Sequence, residues 1–320
     1  MKILEITGER LLEKTVITVG NFDGVHSGHR ALLEQVVARG RERNLKTAVL
    51  TFDPHTRTVL FPELSQHILT TFEEKAQLLE QLGIDYLVRI PFSKEFSQKS
   101  QEDFVKEVLV ERLNASDWVM GEGHSVGKNR GSSTFLLRDT IKKYYITTFV
   151  ADLLTSNEHV VSSTVIRKLL TDGRLTEAVG MLGHPYLISA ERIKGLKIGS
   201  QIGYPTFNFS RPPSQKVIPP PGVYVAELGF DGNVQPGALY FGECPTFAQR
   251  DVHFEFHSLE FNGREPEVGQ IAHLWVYKFI RSDEAFSDSA VLVDRIKKDI
   301  EAIRNFFQEE KRGHGCDQGT

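Results

Sequence analysis

The sequence predicts two domains of different class. A doubly wound α/β domain with a mostly parallel sheet comes first, followed by a small antiparallel β-barrel or sandwich closed by one helix. Three observations carry this. The chain has 320 residues, enough for about two domains at roughly 150 residues each. Up to about Gly183, short apolar runs alternate with stretches of helical spacing, the texture of βαβ units. After about Pro185 that alternation stops. Strand-like runs punctuated by the hairpin signals Asp231-Gly232 and Asn262-Gly263 take over, until a last helical stripe.

The elements follow in order. Residues 16–20 (VITVG) form an apolar strand ending in a turn, and residues 29–43 place Leu32, Leu33, Val36 and Val37 at helical spacing. Residues 47–52 read as a strand, 72–82 as a helix, 86–90 as a strand and 102–113 as a helix. Strand 117–120, helix 134–143 and strand 145–150 complete the first domain. In the second, 223–230, 237–242, 252–261 and 271–280 read as strands, with no helix expected before the last one. Pro212, Pro213 and Pro219 to Pro221 keep the intervening loop extended. Leu292, Ile296, Ile300, Ile303 and Phe307 recur at spacings of three and four, the apolar stripe of the closing helix. The expected boundaries are residues 1–184 and 185–312, with the glycine-containing tail 313–320 disordered.

Composition removes several classes of function. Apolar residues at 40% and charged residues at 25% match ordinary globular chains, which excludes a disordered or fibrous protein. A formal net charge of -4 provides no global basic field, so no nucleic acid partner is expected. Only Cys244 and Cys316 are present, far apart, which argues against a disulfide framework or cysteine-ligated metal and fits a reducing, cytoplasmic setting. No apolar run approaches the roughly 18 residues that span a bilayer, and the N-terminus lacks a signal-peptide core, so no membrane association is expected.

Chemistry concentrates in two places. Gly20-Asn21-Phe22-Asp23-Gly24-Val25-His26-Ser27-Gly28-His29 leaves an apolar strand and opens a helix. A helix N-terminus offers free N–H groups and the positive end of its dipole. His26 and His29 can both donate there to one phosphate, and Gly28 lets it come close. Ser162, Ser163 and Thr164, with Arg167 one turn on, suit the remaining phosphates of a nucleotide, although Ser and Thr are also ordinary N-caps. In the second domain, Thr206 and Asn208 follow Gly203 and Pro205. An extended backbone would aim both oxygens at one face, as a hard cation between phosphates requires, although a polar edge strand has the same pattern. In VHFEFHSLEF, Glu255 lies between His253 and His257 on the face opposite Val252, Phe254 and Phe256, the position of a general base or of a solvated strand face.

Taken together, GNFDGVHSGH and SSTVIR, with TFDPH at 51–55 and the Gly127 to Gly131 loop between them, resemble the bifunctional riboflavin kinase/FAD synthetase family. So do Pro-Thr-x-Asn at 205–208, Pro-Gly-Val-Tyr at 221–224, Pro-Thr-Phe at 245–247 and Glu-x-His at 255 and 257. The resemblance implies a Rossmann-like nucleotidyltransferase domain followed by an antiparallel β-barrel kinase domain with a C-terminal helix. It implies phosphorylation of riboflavin to FMN by ATP with Mg²⁺, then adenylylation of FMN to FAD with release of pyrophosphate. By position, His26 and His29 would touch the transferred phosphate, and Ser162, Ser163, Thr164 and Arg167 would hold the triphosphate. Gly20, Asn21, Phe22, Asp23, Gly24 and Gly28 would border the nucleotide, Asn21 and Asp23 near flavin and adenine. Gly203 and Pro205 would border the kinase nucleotide, Thr206 and Asn208 would hold Mg²⁺, and Glu255 would take the ribityl 5′-hydroxyl proton.

Two departures from the family pattern stand out. Where the family reads Gly-x-Asn/Asp-Phe-x-Phe-Gly, this chain has Gly121-Glu122-Gly123-His124-Ser125-Val126-Gly127. Ala190 and Ser200 replace the frequent Gly and Arg. Gly123 leaves open a chain in which the kinase half alone works, and a flavin-binding protein without turnover is the remaining alternative.

Overall fold

In a computed structural model, residues 1–8, 10–63, 68–121, 134–151, 155–156, 159–195, 198–242, 253–286 and 288–315 are described. Contacts divide the chain into two compact units, Met1–Ile166 with Gln215–Val217, and Arg167–Ser214 with Ile218–Thr320.

The first unit is built on six parallel strands, β1 (Lys2–Glu5), β2 (Thr15–Val19), β3 (Lys46–Asp53), β4 (Tyr86–Pro91), β5 (Ala115–Gly121) and β6 (Thr147–Ala151). Their order is β1-β4-β3-β2-β5-β6, so the chain winds outward in both directions from β2. The central strand β2 is buried at every residue, which is why it reads as a continuous apolar run rather than an alternating one. Ile17, Val19, Leu50, Val88, Trp118 and Met120 form the sheet's share of one core. Strand β1 was not expected from the sequence. Three of its four residues are exposed, so its pairing with β4 at the sheet edge leaves little periodic signal. The helix expected over 102–113 begins as Gln101–Asp103 and continues with π-type hydrogen bonding over Phe104–Arg112, burying Phe104, Val105, Val108 and Leu109. Two short strands, β7 (Thr155–Ser156) and β8 (His159–Val160), pair antiparallel.

The second unit is a closed antiparallel barrel of β9 (Tyr186–Ile193), β10 (Phe207–Phe209), β11 (Gly222–Phe230), β12 (Asn233–Gly242), β13 (His253–Ser258) and β14 (Ile271–Ser282). Its order, β10-β13-β12-β11-β14-β9, decides the choice between barrel and sandwich in favour of a barrel. A short helix, Ile198–Gln201, stands where none was expected. The closing helix runs Ser289–Gly315, so residues 313–315, expected in a disordered tail, are helical, and 316–320 lie outside the described residues. The contact division also falls ahead of the 184/185 boundary. Leu175–Leu182 is a helix that packs on β9 and β14 and buries Leu175, Ala178 and Leu182. The change of texture at Pro185 marks where helices give way to strands, whereas this last helix already packs on barrel strands.

Candidate active sites

In the first unit, β2 ends at a turn that the sequence makes tight and strained. Phe22 and Val25 have φ of 46° and 41°, and Gly24 has φ of 81°. Positive φ at a β-branched residue is a genuine outlier, costing on the order of 1–3 kcal/mol, and persists only where neighbours fix it. Here they do. The buried Asp23 carboxylate accepts the Leu69 N–H with both oxygens (2.8 and 3.0 Å), the Thr70 N–H at 3.1 Å and the Thr70 hydroxyl. Gly24 N–H donates to Thr70 Oγ1 at 3.0 Å, and Ser163 Oγ donates to the Asp23 carbonyl at 2.9 Å. The Asn21 amide meets the Thr56 hydroxyl at 3.0 Å, and Thr51 Oγ1 donates to the Asn21 carbonyl at 3.1 Å. Gly20 N–H bonds the Leu50 carbonyl, and a Cβ there would lie 3.0 Å from the Phe22 ring. Gly20 to Gly24 therefore hold the turn's shape.

That shape delivers two imidazoles to the N-terminus of the helix Ser27–Arg43. His26 is the N-cap, accepting the His29 N–H at Nδ1 (3.3 Å), which leaves the proton of its neutral ring on Nε2. The His26 and His29 rings stack with centroids 3.6 Å apart and planes 17° apart, and Phe22 meets His29 edge-on at 5.3 Å. Burial, then His26 and Lys75, hold the His29 pKa well below its ordinary value. At neutral pH the His29 ring is therefore uncharged. Its buried Nδ1 has no hydrogen-bond partner among the described residues. Ser162 Oγ caps the helix Ser163–Thr171 through the Val165 N–H at 3.3 Å. Thr164 is exposed, and the unit division falls on this helix between Ile166 and Arg167.

Lys75 escaped the sequence reading. It is buried, donates to Thr51 Oγ1 at 2.8 Å, and burial lowers its pKa to about 8, with Asp23 and then Asp53 opposing the shift. The one clue was its place in the first turn of the helix Phe72–Glu80, where a cation opposes the dipole. Residues 122–127 of the departing glycine loop lie outside the described residues.

In the second unit, β10 pairs with β13 so that Asn208 lies opposite Glu255, and β12 places Tyr240 opposite Glu255 from the other side. Directly opposed residues share a face. Phe254 and Phe256 point the other way into the barrel and are buried, the alternation expected from the sequence. Thr206 Oγ1 donates to Glu255 Oε2 at 2.9 Å, and His257 Nδ1 donates to the Pro205 carbonyl at 2.8 Å. Asn208 is buried, and its amide fills the space beside Gly195, where a Cβ would lie 2.2 Å from Nδ2. Gly203 turns the chain at φ 88° just ahead of Tyr204. Thr206, Glu255, His257, Tyr204 and Tyr240 line one cavity, whose other wall includes Ile296 and Ile300 of the closing helix. The buried pair Arg281 and Asp299 (2.9 Å), also missed in the sequence, lines the same cavity. Residues 245–247 and 252 lie outside the described residues.

Comparison with known proteins gives two sequence-family models. One, described as FAD synthetase, matches residues 9–165, and one, described as riboflavin kinase, matches residues 182–307. The chain is 32% identical over 300 residues to the bifunctional riboflavin kinase/FMN adenylyltransferase of Escherichia coli (strain K12), covering 92% of this chain and 93% of that one. The protein of the same name from Listeria monocytogenes is 35% identical over 295 residues, covering 91% and 92%. That from Bacillus subtilis (strain 168) is 32% identical over 322 residues, covering 97% and 100%. A crystal structure described as a macrolide-efflux protein from Streptococcus pneumoniae superposes with a TM-score of 0.80 at 24% identity, over 95% of this chain and 99% of that one. That likeness shows the fold. No helix among the described residues is long and apolar enough to cross a membrane.

Proposed function

Since this chain belongs to the bifunctional riboflavin kinase/FMN adenylyltransferase family, we propose that its two units divide the two reactions between the two sites. The chain is an enzyme that phosphorylates riboflavin to FMN and adenylylates FMN to FAD. Matches to both family models leave the kinase-only and non-catalytic readings without support.

We assign riboflavin phosphorylation to the barrel. Glu255 takes the proton of the ribityl 5′-hydroxyl as that oxygen bonds to the γ-phosphorus of ATP and ADP leaves. The observation that supports this is the 2.9 Å hydrogen bond from Thr206 to the Glu255 carboxylate, both of which line one cavity; Asn208 is not among the residues lining it. The donor set suits Mg²⁺. With its proton turned to Glu255, the Thr206 oxygen keeps lone pairs for a hard cation, and Asn208 adds an amide oxygen. Among the described residues no group of three or more His, Cys, Asp or Glu could hold a metal ion. When bound, the ion would offset charge between the phosphates. Gly203 and Pro205 shape the loop that carries Thr206.

FAD formation we assign to the first unit. An FMN phosphate oxygen bonds to the α-phosphorus of ATP and pyrophosphate leaves. The nucleophile is already anionic, so the site has only to position it and stabilise charge. His26 and His29 do so at the helix N-terminus, with Gly28 leaving room beside them. Ser162, Ser163 and Thr164 hold the triphosphate, while Gly20, Asn21, Phe22, Asp23 and Gly24 fix the turn. The experiment supplies riboflavin and FMN separately to variants of Glu255 and His29. Loss of FMN formation from one and of FAD formation from the other supports the division, and joint loss from both defeats it. With its two cysteines far apart, a usage that fits a reducing compartment, we place the enzyme in the cytoplasm.

A further inference from the structure

One short segment belongs to the unit from which its sequence position would exclude it. Gln215–Val217 lies within the barrel half of the sequence yet is part of the first unit, while the residues on both sides of it belong to the second. It adds a parallel bridge to Ile68, with Ile68 N–H to the Gln215 carbonyl at 3.1 Å and Val217 N–H to the Ile68 carbonyl at 2.9 Å. Its central residue, Lys216, is 1% exposed. Lys216 Nζ donates to the Leu69 carbonyl at 2.7 Å and to Glu74 Oε2 at 2.7 Å, and Glu74 is itself fully buried and closes a capping box with Thr71.

The contacts continue without a gap to the paired histidines. Lys216 holds the carbonyl of Leu69, and the N–H groups of Leu69 and Thr70 hold the Asp23 carboxylate. The Asp23 carbonyl receives Ser163, and the Thr70 hydroxyl receives Gly24 N–H. Asp23 stands between two residues of positive φ, three positions before His26. A strained turn keeps its shape only while its surroundings over-determine it, and Lys216 is the far anchor of the segment that does so here.

We propose that Lys216, supplied by the kinase half of the sequence, is a positioning residue of the adenylyl-transfer site, fixing through Leu69 and Asp23 the turn that presents His26 and His29. The proposal rests on the assignment of FAD formation to the first unit. A buried ammonium bonded to both a carboxylate and a carbonyl exceeds what packing needs. An ion pair alone could be exchanged for apolar or neutral groups at little cost in stability.

The test uses full-length wild type, Lys216→Met, and the double variant Lys216→Met with Glu74→Gln. Each is assayed for FMN from riboflavin, for FAD from supplied FMN, and for its thermal midpoint. Lys216→Met is expected to lower kcat for FAD formation at least tenfold, with FMN formation within twofold of wild type. The double variant removes the stranded buried charge, so its midpoint is expected to return towards wild type while FAD formation stays slow. Full recovery of FAD formation in the double variant would reduce Lys216 to a packing role and overturn the proposal. So would equal loss of both activities, or an unchanged rate of FAD formation in Lys216→Met. Wild type that makes FMN but no FAD would instead sink the underlying assignment.

Discussion

Replacing Glu255 by Gln separates the chemistry of the barrel site from its architecture. The side chain keeps its length and an oxygen that can still accept the Thr206 hydroxyl, now 2.9 Å away. The strand keeps its place, because Phe254 and Phe256 are buried on the other face and the pairings with Asn208 and Tyr240 run through the backbone. What is lost is the ability to take a proton. Loss of a positioned general base costs roughly 10²–10⁴ in rate, which at 1.36 kcal/mol per tenfold is about 2.7–5.4 kcal/mol of barrier. That cost should fall on kcat for FMN formation, with the riboflavin KM within roughly threefold, since the bond is needed in the transition state rather than on binding. FAD formation from supplied FMN should be unaffected. Product separation by chromatography after single additions of riboflavin or FMN reads both numbers. A Gln variant that phosphorylates riboflavin within threefold of wild type would refute the base assignment.

Two further outcomes follow from the first unit. His29→Ala should slow FAD formation about 100-fold, the scale of losing one preorganised donor to developing charge, while FMN formation stays at the wild-type rate; the same two single-substrate assays check it. Lys75 has a folded pKa of about 8 against an ordinary 10.5, so between those values the unfolded chain binds a proton that the folded chain does not. Its contribution to stability therefore grows as pH rises through this window, by about 3 kcal/mol for a shift of this size. Urea unfolding at pH 8 and pH 10.5 should show wild type gaining that much relative to Lys75→Met, and equal gains in the two proteins would contradict a buried, charge-strained ammonium.

What could be read from the sequence depended on whether the signal was local. The apolar run of β2 and the alternation Phe254-Glu255-Phe256 announce burial by periodicity alone, and the structure places each as its pattern requires. His26 and His29 were legible because a strand, a glycine-bracketed turn and a helix start lie within one decapeptide. Lys75, Lys216 and the pair Arg281–Asp299 were not, since each acquires its partner from 18 or more positions away, beyond the reach of a local pattern. Asp23 was legible as important but not in manner. Sequence set it beside the ligands, while the structure commits its carboxylate to the peptides of Leu69 and Thr70. Strand β1 was missed for the opposite reason, as an edge strand whose exposed residues carry no pattern.

The most direct measurement is a time course on the purified chain with riboflavin, ATP and Mg²⁺. FMN should rise first and FAD after it, with ADP equal to FMN plus FAD and one pyrophosphate formed for each FAD. FMN that accumulates to the end with no pyrophosphate, or FAD whose formation from supplied FMN is lost together with FMN formation on Glu255→Gln, would contradict two separate sites in one polypeptide.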